Sequence, residues 1–196
     1  MLVFTQGWKL LMRRAEQGFT LIEMLVGLGL TVFFMLMTLP SASAYLTDAR
    51  IRAAAQAYYS DAQLARAEAV RRNAEVRLLL TDDPRAPTAS VNGLGWVLQA
   101  GPQGVDWSTF EEAEWVSSKD PEDARTTGLH VAANEAVVLF DGQGAASVNQ
   151  IVKFLGPVAD NCYPQGPRCL HVVISRGGQV RLCDPGISQE GDNRTC

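Results

Sequence analysis

The stretch GFTLIEMLVGLGLTVFFMLMTL, residues 18–39, decides how the rest of the chain is read. From Phe19 to Leu39 it holds 21 residues, and only Thr20, Glu23, Thr31 and Thr38 are neither apolar nor glycine. A helix of that length spans about 30 Å, the thickness of a bilayer's hydrocarbon core. Arg13 and Arg14 stand just before it, which predicts a cytoplasmic N-terminal end. Glu23 falls in the first turns, where a charge in lipid is costly and calls for a partner. Ahead of the run lies a basic leader, residues 1–18, with Met1 and Met12 both open as the start.

These residues resemble the N-terminus of type IV pilins and of the pseudopilins of type II secretion. In that family a short basic leader ends in glycine. A dedicated aspartic peptidase of the inner membrane, the prepilin peptidase, cuts after it and N-methylates the new first residue, usually phenylalanine. Gly18 and Phe19 match that pair, and Glu23 matches the glutamate that follows as the fifth residue of the product. Pro40 matches a helix-kinking proline. The resemblance implies that residues 1–18 are a processing segment, to be set aside in reasoning about the fold. Because the cut precedes the apolar run, the hydrophobic helix stays in the product, unlike that of a secretory signal peptide.

The chain has 17 Lys+Arg and 21 Asp+Glu. Removing the leader takes away Lys9, Arg13, Arg14 and Glu16, which leaves 14 basic and 20 acidic residues, a net charge of −6. That argues against a broad nucleic-acid-binding surface. The residues beyond Asn73 suffice for one small domain with its own core. Cys162, Cys169, Cys183 and Cys196 all lie near the C-terminal end, opposite the basic leader across the membrane. An oxidising, periplasmic compartment follows, with disulfides as the default. Four cysteines allow three pairings, of which Cys162–Cys169 and Cys183–Cys196 close the most natural loops. No zinc-ribbon spacing is present, and His130 and His171 have no matching ligand set in the sequence, so neither metal nor cofactor is expected.

After Pro40 a helical pattern resumes through residue 72. Ile51, Ala55, Tyr58, Ala62, Ala65 and Ala69 recur at intervals of three and four and form one apolar face. The reading is an α+β protein: a leader (1–18), a transmembrane half-helix (19–39), an amphipathic half-helix (40–73) and a periplasmic β-rich domain (74–196). A continuous helix over 19–72 would be about 80 Å long. Strands are expected at 74–80, 94–99, 135–140, 150–154, 171–175 and 179–183. The last two flank Arg176-Gly177-Gly178, which has the composition of a tight hairpin turn. Residues 101–123 read as an acidic loop whose Trp107, Phe110 and Trp115 fold back to cap the core. Asp141 and Asp184 read as turn formers, not general acids. No catalytic constellation is visible, and no enzyme is expected.

Residues 64–73, LARAEAVRRN, are similar to the Leu-x-x-Ala-Arg-x-Glu-Ala-x-x-Arg signature of the FimT/GspH-type minor pilins and pseudopilins. Gly95-Trp96, the Phe140 and Gly144 pair, and the final hairpin fit the same family. For Arg66 and Glu68 two readings stand: subunit contacts, or a solvated face with local ion pairs, and the second is preferred. The resemblance implies a minor, tip-located subunit of a pilus or pseudopilus. Its partners are the prepilin peptidase, other pilins of the filament and the inner membrane, and the Glu23 carboxylate meets the Phe19 ammonium of a neighbour. An alternative is a DNA-binding minor pilin. Relatives of that kind use a Gly-Arg-x-Arg element on the last hairpin. Here it reads Gly178-Gln179-Val180-Arg181, which leaves Arg176, Arg181 and Arg194 as candidate contacts.

Overall fold

The computed structural model describes residues 18–107, 113–119, 128–157, 169–188 and 191–196; within its helix, the side chains of 37–44 lie outside that set. The chain divides into two compact units, Met1–Ala42 and Ser43–Cys196. The helix α1 is assigned over Leu21–Arg72, so it begins two residues later than the sequence suggests. The kink expected at Pro40 falls among residues 37–44, outside the described side chains.

The helix stops for a local reason. Asn73 adopts a left-handed conformation with φ of 47°. The Ala74 N–H then donates back to the Ala69 carbonyl at 3.2 Å, and the Asn73 N–H to Val70 at 3.3 Å. Two of the last carbonyls of the helix are thereby satisfied, in the pattern of a Schellman cap. Asparagine tolerates this conformation better than most side chains.

Among the described residues of the second unit there are eight strands: β1 (Glu75–Thr81), β2 (Gly95–Gly101), β3 (Glu114–Lys119), β4 (His130–Ala133), β5 (Val137–Phe140), β6 (Gln150–Leu155), β7 (Leu170–Ile174) and β8 (Val180–Cys183). They form two antiparallel four-stranded sheets, ordered β3-β2-β1-β5 and β4-β6-β7-β8. Period-two burial places Val76, Leu78 and Leu80 of one sheet, and Leu170, Val172 and Ile174 of the other, in a common core.

That core includes the helix face read from the sequence. Ile51, Ala55, Tyr58, Ala62, Ala65 and Ala69 are each at most 1% exposed. Tyr58 is the one large polar residue among them, and it touches aromatics of both sheets. Its ring meets Trp96 of β2 edge to face at 5.2 Å and Phe154 of β6 at 5.8 Å. Its hydroxyl donates to Gln150 Oε1 at 2.7 Å, and Gln150 Nε2 donates onward to the Glu135 carbonyl at 2.7 Å. Trp96 Nε1 donates to Asp61 Oδ2 at 2.6 Å. Every buried polar side-chain atom of the described residues has a partner.

Two expectations need correction. The segment 101–123 is not wholly a loop: β3 lies inside it, at the edge of the first sheet. Trp115 is 49% exposed on that strand and does not cap the core. Trp107 takes a third role. It donates to Glu75 Oε2 at 3.2 Å and lies under the Arg77 guanidinium, 4.6 Å from the ring centre. Phe110 lies outside the described residues. The strand β4 was also missed, because His130-Val131-Ala132-Ala133 has little β propensity of its own.

The final hairpin forms as expected, with Ile174 opposite Val180. Its turn packs tightly. Gly178 has φ of 73°, and a Cβ there would sit 1.7 Å from the Gly144 carbonyl oxygen. At neighbouring Gly177 the nearest atom to such a Cβ is Ser175 Oγ, at 3.9 Å. Gly178→Ala is therefore expected to destabilise the folded unit by about 2–4 kcal/mol, and Gly177→Ala by no more than about 0.5 kcal/mol. Urea denaturation of the two variants checks this, and equal losses would contradict the packing argument.

Candidate assembly site

The N-terminal candidates gather at the first turn of α1. Thr20 is the N-cap. The Glu23 N–H donates to Thr20 Oγ1 at 3.3 Å, and Glu23 Oε2 accepts from the Thr20 N–H at 3.4 Å. The Thr20 hydroxyl also donates to Glu23 Oε2 at 3.4 Å. This reciprocal arrangement is a capping box, in which two orphan donors of the helix end are satisfied. The sequence Thr-Leu-Ile-Glu carries its signature, and sequence reasoning that dwelt on the charge of Glu23 passed over it. Phe19, two residues before the helix, is 79% exposed, and a Cβ added at Gly18 would meet nothing within 4 Å.

At the other end of α1 the structure separates Arg66 from Glu68. Arg66 Nε donates to the Gly144 carbonyl at 3.1 Å. A Cβ at Gly144 would lie 3.0 Å from both Arg66 Nε and Val70 Cγ2, and Gly144 has φ of 80°. The glycine is needed for the turn and for the close approach to the helix. Arg66, though exposed, thus ties α1 to the turn after β5. Asp141 completes that turn, its Oδ1 accepting from the N–H groups of Gln143 and Ala145, each at 2.9 Å.

Glu68 keeps the local role. Its carboxylate pairs with Arg71 at 2.6 Å and Arg72 at 2.7 Å, and Arg72 pairs in turn with Glu114 on β3. The hydrogen bonds from Arg71 and Arg72 hold the Glu68 carboxyl down to about 2. The hydrogen bonds that Arg72 donates to Glu114, and then to Glu68, raise its guanidinium.

The three candidate arginines are all exposed, and each makes a hydrogen bond within the chain. Arg176 is on the exposed hairpin turn, where its N–H donates to Asn149 Oδ1 at 2.9 Å. Arg181, on β8, donates from Nη2 to the Cys196 carbonyl at 3.3 Å. Arg194 is paired with Asp192 at 2.7 Å, and its hydrogen bonds hold that carboxyl at about 2.

Cys183 and Cys196 form a disulfide with a Cα–Cα distance of 5.1 Å, as the loop argument expects. Cys169 is also disulfide-bonded. Cys162 lies outside the described residues. His171 stands beside the Cys183–Cys196 bond, its Nδ1 3.7 Å from Cys196 Sγ, a neighbourhood that sequence spacing did not reveal. Burial, then the charge of Lys153, pushes its imidazole pKa down.

A family model described as type II transport protein GspH matches residues 54–186, more than half of the chain. The chain belongs to the GspH family. That match takes in Arg66, Gly144, Gly178 and both sheets, and it ends before Cys196. A second model, the prokaryotic N-terminal methylation motif, matches residues 13–39. Among solved structures, the type IV minor pilin FimU of Pseudomonas aeruginosa is 17% identical. That match covers 68% of this chain and 87% of FimU with a TM-score of 0.49. The minor pseudopilin EpsH of the Vibrio cholerae type 2 secretion system is 13% identical. It covers 70% of this chain and 98% of EpsH, with a TM-score of 0.47. No curated protein sequence matches.

In this GspH-family chain the Glu68 contacts give a pH signature. The folded-state pKa of Glu68 is depressed from 4.5 to about 2, so its contribution to stability is present above the unfolded value and fades as pH falls through that window. Glu68→Gln should lose stability at pH 7 and converge on the parent protein as pH approaches 2. Denaturation midpoints measured across that range check the sign, and a gap that widens on acidification would refute it.

Proposed function

We propose that this chain is a minor subunit of a type IV pilus or of a type II secretion pseudopilus, placed in the tip complex. It is made as a single-pass inner-membrane precursor with a periplasmic C-terminal domain. The prepilin peptidase cuts it between Gly18 and Phe19 and N-methylates Phe19. The observation that carries this reading is the N-terminal methylation motif over residues 13–39, joined to a GspH-type domain.

The physical state of α1 supports it. Leu21, Ile22, Leu25, Leu28, Val32 and Leu36 are all at least half exposed, as are Met24, Val26, Phe33, Phe34 and Met35 between them. A helix apolar all round must be covered, by lipid or by other helices. Among the described residues no helix is long and apolar enough to cross a membrane. The described side chains of the run end at Leu36, and the proposed span takes in Met37, Thr38 and Leu39 as well.

Assembly then rests on Glu23. Processing creates a free ammonium at Phe19. In lipid that ammonium and a neighbour's Glu23 carboxylate are both poorly solvated, and bringing them together relieves a cost of several kcal/mol. The apolar helices bundle in the filament, with Pro40 adapting α1 between its two halves. The net negative charge, and the intrachain partners of Arg181 and Arg194, favour this reading over DNA binding.

Glu23→Val should insert in the membrane at least as well as the parent, because it removes a buried charge. It should be cleaved normally, since the leader and Gly18 are untouched, and its recovery in sheared filaments should collapse. Incorporation at the parent level would sink the docking role. Mass spectrometry of the parent protein should find an N-methylated Phe19 start, and Gly18→Val should remain uncut. Retention of the leader in assembled filaments would overturn the processing step.

A further inference from the structure

The C-terminal segment carries a set of side chains that a disulfide alone does not require. In the β7–β8 pairing, His171 stands directly opposite Cys183. The tail then returns beside β8. The Asp184 N–H donates to the Arg194 carbonyl at 2.7 Å, and Asp184 and Thr195 form a parallel bridge. The Thr195 N–H donates to the Asp192 carbonyl at 3.0 Å. Main-chain bonds therefore bring Cys196 to this place, and the covalent bond is not its only tether. A ring nitrogen of His171 and the sulfurs of Cys183 and Cys196 all lie within 4.8 Å of one another.

We propose that, before the Cys183–Cys196 bond forms, His171, Cys183 and Cys196 bind one zinc ion and hold the tail against β8. Two thiolates and an imidazole are a zinc ligand set of mixed sulfur and nitrogen donors. With Zn–S of about 2.3 Å and Zn–N of about 2.0–2.1 Å, tetrahedral ligands stand about 3.5–3.8 Å apart. His171 Nδ1 and Cys196 Sγ are already 3.7 Å apart. The fourth position opens to water, because Cys196 is exposed and His171 half-buried, while Cys183 closes the site from inside. Lys153 of β6 stands opposite His171 in the β6–β7 pairing and is exposed, so its ammonium has solvent to turn to. Asp184, next to Cys183, adds the opposite charge.

The two states exclude each other. On binding, each thiol gives up its proton to solvent and the metal keeps its charge. Oxidation by an external disulfide transfers two electrons from the two thiolates to that oxidant, which takes up two protons from solvent and leaves as two thiols. The new sulfur–sulfur bond removes both thiolate donors, and the ion is released. The site lies partly beyond the GspH match, since Cys196 follows its last matched residue.

The test uses the full chain in detergent, reduced with a phosphine and titrated with zinc alone against a competing chelator. Cobalt is a parallel probe, because tetrahedral thiolate coordination gives it a charge-transfer absorption. The reduced protein should take up one equivalent that is absent after oxidation. His171→Ala, and His171→Gln as a variant of similar bulk, should weaken uptake by more than about 100-fold, since losing even an outer-shell partner of a ligand costs about 10–100-fold. Cys162 and Cys169 are the same in all three proteins, so the difference reports this site. No uptake by the reduced chain, uptake that survives oxidation, or uptake equal in the His171 variants would each overturn the proposal.

Discussion

One face of α1, built mainly of alanine, sets the architecture of the Ser43–Cys196 unit. Ala55, Ala62, Ala65 and Ala69 are fully buried, and their small side chains let residues of two sheets come close to the helix backbone. Close packing of this kind leaves no room for error, because interiors are as dense as organic crystals. Ile51 and Tyr58 are the larger members of the face, and the size of Tyr58 is used. It fills the space between Trp96 and Phe154, and its hydroxyl is spent on Gln150. The other contacts of the helix follow from the same proximity. Arg66 reaches the Gly144 carbonyl only because the turn after β5 comes in close, and that turn comes in close only because positions 144 and 178 carry no side chain.

Much of this was legible in the sequence, and the parts that were share a cause. The buried helix face, the stop at Asn73 and the β7–β8 hairpin are local patterns with strong periodicity or turn chemistry. The strands β3 and β4 were not legible, since neither has a run of β-branched residues. β3 is held in place by neighbours distant in sequence: by β2 through the sheet, and by Arg72 through Glu114. Trp115 misled for a related reason. An aromatic residue in a polar stretch suggests burial, but an edge strand has a solvent side, and that is where this ring lies. The two-sheet arrangement was beyond reach too, because nothing local states which strands share a sheet.

The candidate sites divide along the same line. Arg66 reads in the sequence as one charge of a solvated helix face, and the structure adds a hydrogen bond to a backbone carbonyl 78 residues away. Glu68 had its partners three and four residues on, within reach of helical spacing alone. His171, Cys183 and Cys196 are spread over the last part of the chain, and only the register of β7 with β8 and the return of the tail bring them together. A ligand set defined by strand register leaves no spacing rule to find.

Glu23 is where the two kinds of information meet. In the single chain its carboxylate is already used, closing the capping box with Thr20. In the proposed assembly the same carboxylate takes the ammonium of a neighbouring Phe19. A carboxylate has about four lone-pair sites, so the two roles compete in part and coexist in part. The bonds to Thr20 are long, 3.4 Å each, and come from neutral donors. A charge-assisted bond from an ammonium is shorter and roughly twice as strong. In the proposed assembly, exchange toward the neighbour would therefore be downhill, and the capping box would lower the cost of holding Glu23 in lipid before that. The glutamate that burdens the apolar helix is thus engaged by its own helix cap in the single chain, and the proposed assembly would offer the same carboxylate a stronger donor.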